Sequence, residues 1–310
     1  MSKPIILVIR QLPAPMMAAL QQFGDVRLLD PATIGIPEGN ILVSTAVDPV
    51  SAELIDRLPA SLGLIANIGV GYDNIDRAAA TRRGIAVSNT PVVTEDTADL
   101  VFALLLATCR RLSVSERHLR AGNWAAGAGQ LGQRVHGKRL GIVGLGAIGQ
   151  AVARRARGFN MSILYHGPKP SPEAAAALDA HFCPTLEELL READIVSLNC
   201  TLNEQTRHLM NAATLAMLKP GAVLINVGRG PLVDENALVD ALRSGHLGGA
   251  GLDVFEFEPQ VTPALLEFDN VTLLPHIGSA TGECRMDMAR RVCANIGHFL
   301  QQGAPLDRCN

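Results

Sequence analysis

The sequence predicts an α/β protein built of two doubly wound domains, each with a parallel sheet. Short apolar runs, many of them β-branched, alternate with stretches of helical spacing along the 310 residues. This alternation is typical of parallel sheets that helices cover on both faces. The length suits about two domains, and a glycine turn at Gly144, set between an apolar run and a helix, marks the second domain.

The composition argues against several classes of protein. The chain is 48% hydrophobic and 18% charged with a net charge of −3, so it has no basic field to attract nucleic acid or a membrane surface. The apolar run after Pro4 predicts a buried strand rather than a signal peptide, and the run from Leu100 to Ala107 is too short to span a bilayer. The six cysteines form no CxxC pair. We therefore expect reduced thiols, no metal site and a cytoplasmic location.

The first hundred residues predict a small α/β unit. The predicted strands are Ile5 to Ile9, Val26 to Leu29, Ile41 to Val43, Leu62 to Asn67 and Ile85 to Val87. The predicted helices are Leu12 to Phe23, Ser51 to Leu58 and Asp76 to Arg83. Ligands of such sheets bind beyond the carboxyl ends of the strands, where Gly69-Val70-Gly71 lies. Its uncovered N–H groups could form a nest for a carboxylate, or the segment could be an ordinary tight turn.

The middle of the chain begins a second unit with one long helix, predicted from Thr94 to about Arg117. A glycine-rich arm from Arg120 to Val135 follows, and it holds the only tryptophan, Trp124. A lone tryptophan in such an arm more often anchors a packed interface than takes part in chemistry.

The segment from Lys138 to Lys169 is the strongest functional motif. It predicts a strand, the turn Gly144-x-Gly146-x-x-Gly149, a helix beginning near Ala147 and a second strand. The first glycine allows a tight turn, the second admits a pyrophosphate and the third lets helix and strand pack closely. The helix N-terminus then faces the phosphate with its N–H groups and positive dipole end. The alternative is a glycine turn that only joins two elements.

Three later strands each end in a polar residue. Arg229 follows the run from Ala222 to Val227, Asp253 lies in the run from Gly249 to Val254, and His276 follows the run from Val271 to Leu274. Glu258 lies in the loop between the last two of these strands. Each residue alone fits an ordinary role, such as a surface cation, a loop acid or a satisfied core histidine. Together, at the carboxyl end of one sheet, they predict a site.

Several motifs in order resemble a known family. They are Asn67-Ile-Gly-Val-Gly-Tyr-Asp-Asn-Ile-Asp, Asn89-Thr-Pro with Thr97-Ala-Asp-Leu, Gly144-x-Gly146-x-x-Gly149, Asn226-Val-Gly-Arg-Gly, Gly251-Leu-Asp-Val-Phe-Glu-Phe-Glu-Pro and Leu274-Pro-His-Ile-Gly-Ser. The combination is similar to the D-isomer-specific 2-hydroxyacid dehydrogenases, and within them to the glyoxylate/hydroxypyruvate and hydroxyphenylpyruvate reductases.

The resemblance implies two flavodoxin/Rossmann-like domains with the cofactor in a cleft between them. The substrate-binding domain is expected at residues 1–97 plus 283–310, and the dinucleotide-binding domain at residues 98–282. A homodimer is also implied, in which the arm around Trp124 crosses to the partner and contacts its substrate.

The residue types then suggest a mechanism for reducing a 2-keto acid to a D-2-hydroxy acid. His276 is the natural acid for the carbonyl oxygen. A free imidazolium is half lost by pH ~6.5, and the neighbouring carboxylate of Glu258 favours the charged form. Arg229 offers a planar fork for the substrate carboxylate and helps polarise the carbonyl. The nest at Val70 and Gly71 is expected to bind the same carboxylate.

The sequence leaves alternatives open for both the substrate and the general class of function. Glyoxylate and hydroxypyruvate are the expected substrates, because Trp124 would narrow the pocket. An aromatic pyruvate such as 4-hydroxyphenylpyruvate is the alternative substrate. A nucleotide-sensing corepressor of the same fold, or a non-redox enzyme with a bound dinucleotide, is a less favoured alternative function.

The end of the second strand of the nucleotide unit predicts NADPH, with NADH possible. NAD sites carry an Asp or Glu there, whereas here Tyr165 is followed by His166-Gly167-Pro168-Lys169. Without a carboxylate to repel it, a 2′-phosphate can be attracted by Lys169 and His166. The alternative is that Lys169 lies in solvent and NADH serves equally. The expected cofactor-binding residues are Thr97, Gly144, Gly146, Ala147, Ile148, Gly149, His166, Gly167, Lys169, Cys200, Thr206, Val227, Gly228, Arg229, Asp253, His276 and Gly278.

Overall fold

The computed structural model describes residues 3–32, 35–36 and 38–310. The chain divides into two compact units, the first formed by Met1–Val93 with Ser279–Asn310 and the second by Thr94–Gly278. In these described ranges, no helix combines the length and apolar character that crossing a membrane requires. The same ranges contain no group of three or more His, Cys, Asp or Glu side chains placed to hold a metal ion.

The first unit contains a five-stranded parallel sheet. Its strands are β1 (Ile5–Val8), β2 (Asp25–Leu28), β3 (Ile41–Thr45), β4 (Leu64–Ile68) and β5 (Ala86–Ser88). The helices between them are α1 (Ala14–Gln21), α2 (Ala52–Arg57) and α3 (Arg77–Arg82). The strand order β2-β1-β3-β4-β5 is the flavodoxin-like order.

The second unit contains a seven-stranded parallel sheet. Its helices are α4 (Thr94–Cys109), α5 (Leu112–Arg120), α6 (Trp124–Ala128), α7 (Ala147–Gly158), α8 (Pro172–Leu178), α9 (Leu186–Glu192), α10 (Ala212–Ala216) and α11 (Glu235–Arg243). Its strands are β6 (Arg139–Val143), β7 (Ser162–His166), β8 (Ala180–Phe182), β9 (Ile195–Leu198), β10 (Ala222–Asn226), β11 (Leu247–Leu252) and β12 (Val271–Leu273).

The strand order of this second sheet is β12-β11-β10-β9-β6-β7-β8. This is the classical Rossmann order with one strand added at the β12 edge. The order reverses between β6 and β9, so the crevice where such sheets bind ligands opens at the carboxyl ends of these two strands. Both sheets confirm the predicted fold class.

Central strands of the second sheet are buried on both faces, as their continuous apolar runs predict. Every residue of β9 and β10 is buried. Alternate side chains enter different apolar clusters: Leu224 packs with the cluster that includes Leu238, whereas Ile225 packs with the cluster that includes Leu104. Apolar packing on both faces therefore fixes the sheet. The ends of its strands, and the residues that follow them, have fixed positions as a result.

The last helix, α12 (Gly282–Gln302), belongs to the first unit. Its buried residues Met288, Val292 and Ile296 join the apolar cluster that includes Ile6 of β1. Thr281 caps the N-terminus of α12, because its hydroxyl accepts a hydrogen bond from the N–H of Cys284 at 3.0 Å.

In the second unit, one expected helix is shorter than predicted, and one strand was not predicted. The helix predicted from Thr94 to about Arg117 ends at Cys109, and Arg111 adopts a left-handed conformation with φ of 52° before α5 begins. At this break the N–H of Gln133, in the glycine-rich arm, donates to the Cys109 carbonyl at 2.6 Å and takes the place of a helical donor. The sequence also gave no sign of β8, which pairs with β7 at the sheet edge.

Candidate active site

The predicted glycine turn lies at the point where the strand order of the second sheet reverses. Gly144 has φ of 96°, and a Cβ there would lie 2.8 Å from the backbone N of Cys200. A Cβ on Gly149 would lie 2.1 Å from the carbonyl oxygen of Gly144. Only glycine fits these two positions, so α7 starts tightly against β6.

The turn leaves the start of α7 uncovered. Gly146 caps the helix, and a Cβ at this position would meet nothing within 4 Å. Ala147 and Ile148 are the first residues of this 12-residue helix, so their N–H groups are among those that lack a partner within the helix. This cradle fits the pyrophosphate of a dinucleotide.

The loop after β7 presents no carboxylate. Nδ1 of His166 lies 3.0 Å from the carbonyl oxygen of Cys183, so this nitrogen carries a proton and Nε2 is the other polar atom of the ring. The N–H of Ser171 donates to the hydroxyl of buried Tyr165 at 3.0 Å and closes the loop. Lys169 is exposed within it, and Gly167 is half-buried.

Two expected cofactor residues follow β9. Burial raises the pKa of the Cys200 thiol to about 11, so this side chain stays neutral at physiological pH. The hydroxyl of Thr206 donates to the carbonyl of Thr201 at 2.7 Å and accepts from the N–H of Asn203 at 2.8 Å. The Thr206 side chain therefore already holds its own turn together.

The turn after β10 positions Arg229. Buried Asn226 accepts from the N–H of Gly228 at 3.1 Å and donates to the carbonyl of Arg229 at 2.9 Å. A Cβ on Gly230 would lie 1.8 Å from the carbonyl carbon of Phe255, so this turn rests directly on the loop that follows β11. Val227 is buried at the start of the same turn. The role of Asn226 was not expected from the sequence, although this residue stands inside the motif Asn226-Val-Gly-Arg-Gly.

Asp253, at the end of β11, fixes the residues that follow β12. It is 1% exposed, and its two carboxylate oxygens accept the N–H groups of Ile277 at 2.7 Å and Gly278 at 2.8 Å. Burial raises the pKa of Asp253, and the N–H bond from Ile277 and the charge of His276 counteract only part of that rise. Thr97 donates to the carbonyl of Gly278 at 3.2 Å and ties α4 to the same turn.

His276 has an unusual backbone conformation. Its φ of 53° lies in the left-handed region, which costs about 1–3 kcal/mol for a residue other than glycine. Its N–H donates to the carbonyl of Asp253 at 2.8 Å. The N–H groups of His276, Ile277 and Gly278 all bind Asp253, and these bonds hold His276 in its strained conformation.

His276 and Glu258 form a pair at this edge of the sheet. Nδ1 of His276 lies 2.8 Å from Oε2 of Glu258, and their side chains are 32% and 27% exposed. Oε1 of Glu258 accepts the N–H of Phe255 at 3.0 Å. Because the carboxylate holds the proton on Nδ1, Nε2 is the ring nitrogen that can exchange a proton with a ligand.

The environment of Glu258 keeps it ionised. Burial alone raises the pKa of Glu258, but the hydrogen bond and charge of His276, the N–H of Phe255 and the charge of Arg229 together lower it below the usual glutamate value. The second unit thus brings Arg229, Glu258, His276 and Asp253 together, as the strand ends predicted.

The first unit contains the predicted segment Gly69-Val70-Gly71, but fewer of its N–H groups are open to a ligand than its two glycines suggested. The N–H of Gly69 is not open to a ligand, because it donates to the hydroxyl of Thr90 at 2.9 Å. Within the described chain, the N–H groups of Val70 and Gly71 donate no hydrogen bond. Asn89 donates to the carbonyl of Val70 at 2.8 Å and fixes that peptide group.

Trp124 begins α6 and is 74% exposed. Leu131 in the same arm is 86% exposed, and Leu112 and Leu119 of α5 are 52% and 55% exposed. The arm thus presents apolar surface to the outside of the chain.

Comparison with known proteins agrees with this geometry. Residues 102–278 match the family described as "D-isomer specific 2-hydroxyacid dehydrogenase, NAD binding domain". The chain is 42% identical to a glyoxylate reductase of Thermococcus litoralis, over 99% of this chain and 97% of that protein. It is also 42% identical to a glyoxylate/hydroxypyruvate reductase B of Shigella boydii, over 96% of this chain and 95% of that protein.

A solved structure shows the same architecture throughout. The NADPH-dependent glyoxylate/hydroxypyruvate reductase of Sinorhizobium meliloti, crystallised with NADP and malonate, superposes with a TM-score of 0.92 at 38% identity and covers 99% of this chain and 97% of its own. The chain is therefore an oxidoreductase that belongs to the D-isomer specific 2-hydroxyacid dehydrogenase family.

Proposed function

We propose that this protein reduces a small 2-keto acid, glyoxylate or hydroxypyruvate, to the 2-hydroxy acid with NADPH, and that the product has the D configuration where it is chiral. The single observation that carries the proposal is the pair formed by His276 Nδ1 and Glu258 Oε2, at 2.8 Å, next to the turn that carries Arg229. Relatives named as glyoxylate and glyoxylate/hydroxypyruvate reductases cover nearly the whole chain, which supports a small 2-keto acid as the substrate.

The cradle at Gly144 and Gly149 and the uncovered start of α7 fit a dinucleotide. When bound, a reduced nicotinamide cofactor supplies the hydride. The protein's own contribution is to bind the keto acid, to stabilise the charge that develops on its carbonyl oxygen and to deliver a proton there.

The proton comes from Nε2 of His276 in this mechanism. Glu258 holds Nδ1–H and favours the imidazolium before transfer. After transfer the ring is neutral and still bonded to Glu258. Since about a third of the His276 side chain is exposed, water can return the proton. The pKa of Glu258 lies below its usual range, so the carboxylate remains charged through this cycle.

Arg229 is assigned to the carboxylate of the keto acid. A guanidinium stays charged at every working pH and matches a carboxylate with two parallel donors. Asn226 fixes the turn from which the side chain extends. We assign the N–H groups of Val70 and Gly71, in the first unit, to the binding of an anionic oxygen, because uncovered successive N–H groups favour one.

The loop after β7 supports NADPH over NADH. It lacks the carboxylate that binds a ribose 2′-hydroxyl in NAD sites, and it places exposed Lys169 three residues after His166, whose Nε2 is the ring atom left for a ligand. The exposed apolar arm around Trp124 supports a homodimer, in which this arm meets the partner and narrows its substrate pocket.

Replacement of the acid tests the chemistry. We expect His276→Ala to lower kcat for glyoxylate by about 10²–10⁴-fold, the range for losing a general acid. The affinity for NADPH, measured by calorimetry, should change by less than about twofold, since the substitution keeps the backbone at position 276 and leaves the glycine turn and the other expected cofactor contacts in place. His136→Ala, at an exposed histidine of the same unit, is the control. Full activity in His276→Ala would exclude the assignment.

The pH dependence tests Glu258. Reduction needs the imidazolium, so the rate falls as pH rises; we call the pH at half-maximal rate on that side the alkaline midpoint. Because Glu258 is ionised throughout the neutral range, Glu258→Gln removes a charge that favours the imidazolium, and the alkaline midpoint should fall by ~1 pH unit or more. An unchanged profile would remove Glu258 from this role.

Cofactor preference tests the loop after β7. We expect kcat/KM to be at least about tenfold higher with NADPH than with NADH, which corresponds to about 1.4 kcal/mol. Lys169→Ala should weaken NADPH binding and leave NADH binding unchanged, so NADH is the internal control. A wild-type preference for NADH, or equal loss of both cofactors in the variant, would contradict the assignment.

A further inference from the structure

A second cluster of ionisable side chains lies beside the loop that carries Glu258. It consists of Glu235 at the start of α11, Glu256 in the loop and His208 from the segment after β9. Glu235 is 2% exposed, and the side chain of Glu256 is 8% exposed. The proposed mechanism uses none of these residues. The burial of the two glutamates needs a reason, because taking ionised carboxylates out of water is costly unless they are paired and hydrogen-bonded.

The two glutamates bind each other's backbone. Oε1 of Glu235 accepts the N–H of Glu256 at 2.7 Å, and Oε2 of Glu256 lies 3.5 Å from the N–H of Glu235. The first contact is a strong charge-assisted bond and the second is long. The start of α11 and the loop are thus joined from both sides.

Glu235 also closes the loop around Glu258. While its Oε1 binds the N–H of Glu256, its Oε2 accepts the hydroxyl of Thr262. One buried carboxylate therefore ties the two ends of the segment 256–262. Glu258 stands inside this closed segment, and its own Oε1 is bonded to the N–H of Phe255, which directs Oε2 to His276.

The third member of the cluster, His208, contacts Glu256. Its Nε2 lies 2.5 Å from Oε1 of Glu256. Its backbone is fixed as well, since its N–H donates to the carbonyl of Pro231 at 2.8 Å and Asn211 donates to its carbonyl at 3.0 Å. His208 has φ of 50°, so, like His276, it is held in a left-handed conformation.

We propose that Glu235, Glu256 and His208 are positioning residues, which form a hydrogen-bonded clasp that sets the Glu258 carboxylate against Nδ1 of His276. The clasp acts through Glu258 and touches no substrate. This inference rests on the proposed function of the His276–Glu258 pair. It explains why the loop that carries Glu258 and the start of α11 each hold one further carboxylate in a buried position.

Glu256→Gln is the sharpest test, because it removes the charge that faces His208 and keeps the shape of the side chain. We expect kcat to fall about tenfold, as for other residues that orient a reacting group through one intermediary, with KM for the keto acid changed by less than about twofold. The alkaline midpoint should fall by ~0.5 pH unit, because a misplaced Glu258 favours the imidazolium less.

A double variant shows whether the clasp acts through Glu258. Adding Glu256→Gln to Glu258→Gln should leave the alkaline midpoint of Glu258→Gln unchanged, because the intermediary is already lost. Additive shifts would overturn the proposal. Glu267→Gln, at an exposed acid beyond the same loop, is the matched control and should behave as wild type.

Stability separates positioning from a merely structural role. If Glu256→Gln lowers the Tm while kcat and the alkaline midpoint of the folded protein remain those of wild type, the clasp only stabilises the fold and the proposal is wrong. Should Glu256→Gln fail to fold, His208→Gln carries the test, since His208 is more exposed and glutamine keeps a donor. We then expect about a threefold loss of kcat and a smaller shift of the midpoint in the same direction.

An NMR titration separates this inference from the proposed function. The ring signal of His276, assigned by its absence in His276→Ala, is followed in the protein without substrate. Its midpoint should fall in both Glu258→Gln and Glu256→Gln. If none of the 2-keto acids tested causes wild type to oxidise NADPH, the proposed function fails, while this titration still tests the clasp. A shift in Glu258→Gln but none in Glu256→Gln would overturn the clasp alone.

Discussion

The candidate site depends on one buried carboxylate behind the pair that is proposed to do the chemistry. Asp253 accepts the N–H groups of both Ile277 and Gly278 while its own carbonyl accepts the N–H of His276. These three bonds hold His276 in a left-handed conformation that it would not keep alone. The backbone conformation of His276 therefore directs its imidazole toward Glu258, and Nδ1 then contacts Oε2 of Glu258.

Backbone contacts and hydrogen bonds connect the ends of three strands into one support. Gly230 lies against the backbone of Phe255, which ties the turn of Arg229 to the loop of Glu258. Glu235 closes that loop, and Asp253 ties it to the turn of His276. Preorganisation of this kind matters because a group that must reorient before proton transfer loses much of its advantage. The clasp inferred above is one further part of this support.

Much of this arrangement could be predicted from the sequence, because parallel strands bring their carboxyl ends to one edge. The positions of Gly144, Arg229, Asp253 and His276 followed from this rule and from the glycine turn. The break after Cys109 and the edge strand β8 could not be predicted. At the break, the Cys109 carbonyl binds a donor from a distant part of the chain, and β8 is a short strand without a continuous apolar run. The clasp was missed because its members are far apart in the sequence and only the fold brings them together.

The nest of the first unit shows a finer limit of sequence reasoning. Two glycines predicted open N–H groups, yet the hydroxyl of Thr90 already occupies the N–H of Gly69. Such pairing depends on the register of neighbouring strand ends, which a local motif does not contain. The same limit applies to the choice of keto acid, which depends on the shape of the whole pocket.

The most direct test of the account follows the absorbance of NADPH in the presence of wild-type protein and glyoxylate, hydroxypyruvate, pyruvate or 4-hydroxyphenylpyruvate in turn. The account predicts that NADPH is consumed mole for mole with glyoxylate, which gives the achiral glycolate, or with hydroxypyruvate, which gives the D-2-hydroxy acid. Binding of NADPH without its oxidation by any of the four acids would contradict it.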